Sequence, residues 1–323
     1  MGRQLSIMSK TTKQPLSKKR LAIFLDGTWN EPGDNTNVWR LRSLCAPLAS
    51  DGTRQLHYYD PGPSGFKGGT FGDGVSKNVT QAYEWLIDNY DDGDDIFIFG
   101  FSRGAFTARS LAGFITKYGL LQPGAPLSVP QMYERYQSAE EKTIWKLNAE
   151  VNRGACDKHS DMERWMVKYA RCIKIKMVGV WDTVGALGIP RFSIPGVSRS
   201  SFSWHHTGLR IPIDHGFHAM AIDEHRAPFE ATLWTVRNGI SAAPRPLSSV
   251  EQRWFVGAHA NIGGGYTNDL LGQPSLQWLA DKAKGLGLEL RYDISLDGNI
   301  HQAKISDAYA AFVHGIYSKI QKR

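Results

Sequence analysis

The segment Gly100-x-Ser102-x-Gly104 has the residue types and the spacing of a serine nucleophile. An apolar run over residues 96–99 precedes it, and a segment compatible with a helix follows it. A serine on the sharp turn between a buried strand and a helix is a nucleophile elbow, and glycines flank it because larger residues would clash with both elements. The pattern therefore predicts Ser102 as the nucleophile of an acyl transfer.

A serine nucleophile needs a base, and the base needs a carboxylate that orients it. In α/β hydrolases these groups follow in the chain order Ser, Asp or Glu, His, and each stands at the carboxyl end of a strand. Asp182 follows a predicted strand over residues 173–180, and His259 follows one over residues 252–256 and precedes a glycine-rich loop. We therefore expect a triad of Ser102, His259 and Asp182.

Other residues compete for these two roles. Asp223 also follows an apolar stretch and is the second candidate for the acid, although with Arg226 it is better interpreted as a structural ion pair or a wall residue. Five histidines compete with His259, but none of them combines a strand end with a glycine-rich loop. These are His205, His206, His215, His218 and His225.

The negative oxygen that forms during acyl transfer needs two N–H donors. One is the N–H of Arg103, which follows the nucleophile, and the second usually comes from the loop after an earlier strand. That loop is Asp26-Gly27-Thr28 here, so the N–H of Gly27 or of Thr28 is the predicted second donor. Asp26 would lie near the nucleophile, where it could hold the loop or bind Arg103 or Arg109.

The elements that position these residues alternate between strands and helices. Strands are predicted over residues 21–25, 55–59, 96–99, 173–180 and 252–256. One helix is predicted after a cap at Thr36 or Asn37, and another after Ser102. Further helices are predicted over residues 79–89, 215–223, 275–286 and 306–321. Residues 61–74 are predicted to form a glycine-rich loop. This alternation predicts a mostly parallel, doubly wound sheet. With the elbow, it predicts an α/β-hydrolase fold.

We expect a single α/β-hydrolase domain over residues 21–323 and a basic, flexible tail over residues 1–20. Residues 123–170 predict a helical insertion, and the irregular, aromatic and proline-containing residues 186–214 predict a lid-like segment. Six lysines and arginines and no acid lie in residues 1–20, so the tail holds most of the net charge of +7. Such a tail could contact an anionic membrane, whereas no nucleic-acid partner is expected.

Several classes of protein are excluded by the sequence. No apolar run approaches the roughly 20 residues of a membrane span, and the tail lacks the apolar core of a secretory signal. A cytoplasmic location is therefore expected, with export by a dedicated secretion system as the alternative. The three cysteines form no CxxC pair, and HExxH and nucleotide-binding loops are absent, so no metal or cofactor is expected. Asp26 resembles the start of an aspartyl-phosphatase loop, but Thr28 stands where the second acid belongs.

Six blocks of the sequence resemble one family. They cover residues 24–30, 36–38, 100–109, 179–185, 221–226 and 254–266. The family was first catalogued as an uncharacterised α/β-hydrolase domain, and it includes phospholipase effectors of the bacterial type VI secretion system. The resemblance spans about residues 20–285, and it implies an esterase or phospholipase whose triad falls on Ser102, Asp182 and His259. Ala260 and Asn261 depart from it, because many relatives have a small polar residue and an aspartate at these two positions.

These observations together predict a serine hydrolase that cleaves a small-molecule or lipid ester, as a phospholipase or lipase does, through an acyl-enzyme. A non-catalytic, membrane-associated or binding protein on the same fold is the alternative, and it would use the basic tail and the aromatic lid. A third reading is a metal-dependent hydrolase of phosphate esters that uses Asp26.

Overall fold

The computed structural model describes residues 17–27, 30–62, 71–138, 142–155, 157, 159–184, 212–226, 229–234, 245–267, 270–296 and 298–308, and the side chains of all these except residues 71–73. The predicted lid and terminal helix lie almost wholly outside these ranges, as do residues 1–16 of the tail and Thr28.

Six of the strands form one parallel sheet. The strands are β1 (Arg20–Leu25), β2 (Gln55–Asp60), β3 (Asp95–Phe101), β4 (Leu120–Leu121), β5 (Ala170–Arg171), β6 (Ile175–Trp181), β7 (Ile213–Ala221) and β8 (Val250–Phe255). The sheet has the order β2-β1-β3-β6-β7-β8, and each of its pairings is parallel. The parallel sheet predicted from the alternation of elements is confirmed.

Helices cover both faces of this sheet. They are α1 (Asn37–Leu44), α2 (Phe71–Asn89), α3 (Arg103–Tyr118), α4 (Val129–Gln137), α5 (Ile144–Asn152), α6 (Asp161–Tyr169), α7 (His259–Gly263) and α8 (Gly272–Gly285). Alternate residues of β1 show the two layers, because Ile23 packs in the core with α2 and α3 whereas Phe24 packs in the core with α1 and α8. No helix in the described ranges is both long enough and apolar enough to span a bilayer.

Two short strands enclose the helical segment predicted over residues 123–170. β4 and β5 pair antiparallel, so the chain leaves and returns to the main sheet at one place. Aromatic contacts attach the segment to α3, since the ring of Phe114 lies 5.3 Å from that of Tyr133 and 5.6 Å from that of Tyr136. The helices α4, α5 and α6 therefore pack as a layer beside the sheet.

The positive side chains at the end of the predicted tail bind to the folded chain. Lys18, Lys19 and Arg20 each form an ion pair, and Arg20 is the first residue of β1. Their partners are Asp95, Asp94 and Asp51, at N–O distances of 2.9, 2.9 and 2.6 Å. Residues 18–20 therefore contact the folded chain, which neutralises these three charges.

Two of the predicted elements are wrong. A short helix was predicted over residues 215–223, but residues 215–221 belong to β7. Pairing with β6 on one side and β8 on the other decides the conformation of this apolar, histidine-containing run. Residues 71–74, predicted as part of a loop, belong to α2. The helix begins there because Val75 is buried in the same core as Val79, despite the low helix propensity of the neighbouring glycines.

The register of the parallel strands places their carboxyl ends at one edge of the sheet. Leu25 lies opposite Gly100, and Phe101 lies opposite Trp181. The N–H of Ser102 continues this ladder by donating to the carbonyl of Trp181 at 3.1 Å, and the N–H of Asp182 donates to that of Ala219 at 2.7 Å. Residues that are distant in the sequence thereby reach the same place.

Candidate active site

Ser102 occupies a strained turn between β3 and α3. Its backbone has φ 58° and ψ −121°, a conformation that residues other than glycine rarely adopt. A Cβ atom on Gly100 would lie 2.4 Å from the carbonyl oxygen of Gly104, and one on Gly104 would lie 2.1 Å from that of Leu25. The two glycines are therefore required by close backbone packing, and the turn has the geometry expected of a nucleophile elbow.

Ser102, His259 and Asp182 form a continuous chain of hydrogen bonds. The Nε2 atom of His259 lies 2.7 Å from Ser102 Oγ, and its Nδ1 atom lies 2.6 Å from Asp182 Oδ2. All three side chains are buried, with exposed fractions of 9, 5 and 0%. With its Nδ1 proton held by the carboxylate, the imidazole presents the Nε2 lone pair to the serine hydroxyl, as general-base catalysis requires.

The carboxylate of Asp182 is oriented by the end of β7. Its Oδ1 atom accepts a hydrogen bond from the N–H of Ala221 at 3.0 Å, which leaves Oδ2 for His259. The backbone of Asp182 has φ 36°, so this residue also stands on a turn that few side chains tolerate. The acid is therefore fixed by strand geometry and by its own turn.

His218, one of the competing histidines, lies behind the acid and does not take the position of the base. It is fully buried on β7, and its Nε2 atom accepts the N–H of Thr183 at 3.1 Å. Burial lowers the pKa of His218 to about 3, so the ring is neutral and its Nδ1–H is directed at Gln252 Oε1, 3.4 Å away. Sequence reasoning missed this role, because residues 215–223 were interpreted as a helix.

Asp223 ties two loops together. Its Oδ2 atom accepts the N–H of Gly257 at 2.7 Å, so its carboxylate fixes the segment that leads to His259. The predicted ion pair between Asp223 and Arg226 is wrong. Arg226 instead pairs with Glu224 at 2.7 Å, because the chain turns after β7 and directs Asp223 toward the neighbouring loop.

The buried pair of Glu224 and Arg226 supports the base, and sequence reasoning missed it. Both side chains are at most 5% exposed, and Glu224 Oε2 accepts the N–H of His259 at 3.3 Å. The guanidinium of Arg226 lies 3.7 Å above the ring of Phe229, which in turn contacts the imidazole of His259 edge to face at 5.1 Å. His259 is thus held at its backbone by Glu224 and at its ring by Phe229.

The loop predicted to supply the second oxyanion donor lies beside the nucleophile. A Cβ atom on Gly27 would come within 3.4 Å of Ser102 Cβ. The N–H of Gly27 donates to Asp26 Oδ1 at 2.9 Å, so it is already engaged, and Thr28 falls outside the described residues. Arg103 is the first residue of α3, directly after Ser102.

Asp26 is buried beneath this loop and accepts hydrogen bonds on both oxygens. Oδ2 accepts from Thr36 Oγ1 at 2.6 Å and from the hydroxyl of Tyr59 at 3.0 Å, while Oδ1 accepts from Gly27. Both oxygens therefore face protein donors, which disfavours the phosphatase reading. The described part of the chain also holds no cluster of three His, Cys, Asp or Glu side chains that could bind a metal ion.

Asp26→Asn is expected to stabilise the fold most at alkaline pH. Burial raises the pKa of Asp26 from 3.8 to about 6, so the stability of the wild-type protein falls as the pH rises through about 6. The neutral amide avoids that loss, and the gain in the free energy of unfolding should approach about 3 kcal/mol near pH 8. Urea unfolding at several pH values tests this, and a gain that does not shrink as the pH falls toward about 4 would contradict it.

Comparison with known sequences identifies the family. A sequence model described as "T6SS, Phospholipase effector Tle1-like, catalytic domain" matches residues 19–282. The chain belongs to this family. Membership of a family described as phospholipase effectors supports the interpretation of this domain as a hydrolase of esters or lipids.

Individual relatives of this Tle1-like domain are distant. The uncharacterized protein YEL023C of Saccharomyces cerevisiae is 28% identical over 244 residues, which are 68% of this chain and 33% of that protein. The Tle1-like domain thus spans about a third of the length of this relative. An uncharacterized protein from Pseudomonas aeruginosa is 15% identical with a TM-score of 0.50, over 84% of this chain and 46% of the other. A Thermogutta terrifontis esterase is 14% identical with a TM-score of 0.44, over 88% and 89% of the two chains.

The Tle1-like domain has the α/β-hydrolase fold, with the elbow after the central strand β3 of a parallel, doubly wound sheet. Its Asn261, where the resemblance led us to expect aspartate, is buried in α7. The Oδ1 atom accepts the N–H groups of Ala258 at 3.0 Å and of Ser306 at 3.1 Å, and Nδ2 donates to the Ser306 hydroxyl. Asn261 therefore caps the helix that begins at His259 and attaches the segment around Ser306 to it.

Proposed function

We propose that this Tle1-like domain is a serine hydrolase that cleaves carboxylic esters, with a lipid or small-molecule ester as its substrate. The observation that carries the proposal is the hydrogen-bonded chain from Ser102 Oγ through His259 to Asp182 Oδ2, with distances of 2.7 and 2.6 Å. The strained elbow beside it is further support, because it presents Oγ at the carboxyl edge of the sheet.

In the proposed reaction, Ser102 Oγ attacks the carbonyl carbon of the ester while its proton passes to His259 Nε2. The carbonyl oxygen becomes negative, and the N–H of Arg103 stabilises it together with an N–H of the Gly27-Thr28 loop. Because the Gly27 N–H already donates to Asp26, that of Thr28 is the better candidate. His259 then protonates the leaving alcohol, and an acyl group remains on Ser102.

Hydrolysis of the acyl-enzyme reverses these roles. Water loses a proton to His259 Nε2 and attacks the acyl carbon, and the proton then returns to Ser102 Oγ as the carboxylic acid leaves. In both half-reactions Asp182 stabilises the positively charged imidazole through Nδ1. Its own orientation depends on the N–H of Ala221.

Contact with an anionic membrane through the basic tail is a weaker proposal. Lys18, Lys19 and Arg20 pair with aspartates of the fold, so only the positive residues before them remain for a lipid surface. The domain boundaries, the lid over residues 186–214 and export by a secretion system also stay proposals.

Labelling with a fluorophosphonate tests the proposed function directly. This probe phosphonylates a serine only where a base activates it, so we expect stoichiometric modification of the folded protein, located on Ser102 by peptide mass spectrometry. Heat-denatured protein serves as the control and should not react. Modification at a residue other than Ser102, or no modification of the native protein, would contradict the proposal.

A further inference from the structure

Asp26 lies against the backbone of the elbow. It directly follows β1, and a Cβ atom on Gly104 would come within 2.4 Å of its carbonyl oxygen. A Cβ atom on the next residue, Gly27, would lie 3.4 Å from Ser102 Cβ. Any movement of the Asp26-Gly27 backbone therefore changes the space in which the reacting carbonyl group must lie.

The carboxylate of Asp26 accepts hydrogen bonds from three parts of the fold. Gly27 belongs to its own loop, Thr36 caps the amino end of α1, and Tyr59 lies on β2, with donor–acceptor distances of 2.9, 2.6 and 3.0 Å. Thr36 also forms an antiparallel bridge with Gly264, the residue after α7, and α7 begins at His259. Asp26 thus connects the oxyanion loop with the helix that carries the base.

Asp60, the last residue of β2, and Gly62, two residues after it, contact the same loop on its other side. The N–H of Asp26 donates to the carbonyl of Asp60 at 3.0 Å, and Asp60 Oδ1 accepts the N–H of Gly62 at 3.0 Å. A Cβ atom on Gly62 would lie 2.2 Å from the carbonyl oxygen of Gly27. The loop is therefore packed between the elbow and Gly62, and the Asp26 side chain sets the direction of the peptide N–H that it holds.

From these contacts we infer that Asp26 is a positioning residue for acyl transfer: it fixes the loop that supplies the second oxyanion donor, without touching the substrate. The inference rests on the proposed function. It differs from a purely structural role because a misdirected donor weakens binding of the transition state while the fold and the binding of the ester persist.

Asp26→Ala and Asp26→Asn separate these possibilities when kcat and KM are measured for p-nitrophenyl butyrate. Alanine removes the acceptor for Gly27, so kcat should fall by about 100-fold while KM changes by less than about threefold. Asparagine can still accept from Gly27 through Oδ1, so its kcat should stay within about fivefold of wild type. The rate of fluorophosphonate labelling should follow kcat in both variants.

Asp94→Ala is the matched control at the opposite edge of the same sheet, directly before the neighbouring strand β3. Asp94 is also buried, and its carboxylate accepts the N–H of Lys19 at 2.6 Å. Its loss should lower the unfolding temperature and leave kcat of the folded protein unchanged. A wild-type kcat in Asp26→Ala, or an equal loss of kcat in Asp94→Ala, overturns this inference and leaves the proposed function standing. Failure of the wild-type protein to react with fluorophosphonate overturns the proposed function and the inference with it.

Thr36→Val provides the same test if Asp26→Ala does not fold. Valine keeps the shape of threonine but removes the hydroxyl that donates to Asp26 Oδ2. The expected result is a roughly tenfold lower kcat with KM nearly unchanged, since a hydrogen bond to a charged group is lost. An unchanged kcat in the folded variant overturns the inference.

Discussion

Ser102→Ala is expected to lower kcat for p-nitrophenyl butyrate by about 10⁶-fold, because the loss of the nucleophile disables the whole proposed triad. His259 would keep its hydrogen bond to Asp182 but would have no hydroxyl to deprotonate. The strained turn is fixed by Gly100 and Gly104, so the variant should fold with an unchanged unfolding temperature. Steady-state hydrolysis with circular dichroism as the check on folding measures both quantities.

Ser110→Ala is the matched control for this variant. Ser110 is buried in the same helix, α3, and its hydroxyl donates to the carbonyl of Phe106 at 2.8 Å, away from the triad. Its kcat should stay within about threefold of wild type. Residual activity in purified Ser102→Ala above about a hundredth of the wild-type rate would rule out Ser102 as the nucleophile.

Asp182→Asn is expected to lower kcat by about 10⁴-fold through the wrong tautomer of the base. The N–H of Ala221 needs an acceptor, so the amide oxygen of asparagine should take the place of Oδ1. The amide nitrogen then faces His259 Nδ1 as a donor and stabilises the ring with its proton on Nε2. Such a ring donates to Ser102 Oγ and cannot accept its proton.

Asp223→Asn distinguishes this effect from the loss of any nearby carboxylate. Asp223 lies at the same edge of the sheet, after β7, but it accepts the N–H of Gly257 and not a proton of the imidazole. Asparagine preserves that bond, so kcat should fall by less than about tenfold. The two substitutions should also differ in NMR, where only Asp182→Asn removes the low-field signal of the Nδ1 proton. Equal losses of kcat in both variants would contradict the assignment of Asp182.

The residues of the proposed triad could be predicted to lie close together, because each follows a predicted strand in the sequence. Ser102 and Asp182 stand directly after a strand, His259 follows one after three residues, and strands that end together in a parallel sheet bring such positions to one edge. The fold could be predicted for the same reason, since alternation of strands and helices limits the topology to very few arrangements. The structure adds the distances.

The supporting contacts could not be predicted, because they depend on turns whose direction is set by distant neighbours. Asp223 and Glu224 are adjacent acids near Arg226, and only the end of β7 decides which of them forms the ion pair. His218 gave no sign of holding Thr183, because a fully buried strand lacks the alternation that marks a half-buried one. Asp26 could be placed near the nucleophile, but not its donors on α1 and β2.

The order of the strands has a consequence for how the chain acquires activity. Ser102 follows β3, Asp182 follows β6 and His259 follows β8, with β7 between the acid and the base. Four strands must therefore pair in register before a proton can pass from serine to histidine, and a slip of one residue in β6 would turn Asp182 to the opposite face. In the proposed mechanism, a chain with an incomplete sheet therefore carries no reactive serine.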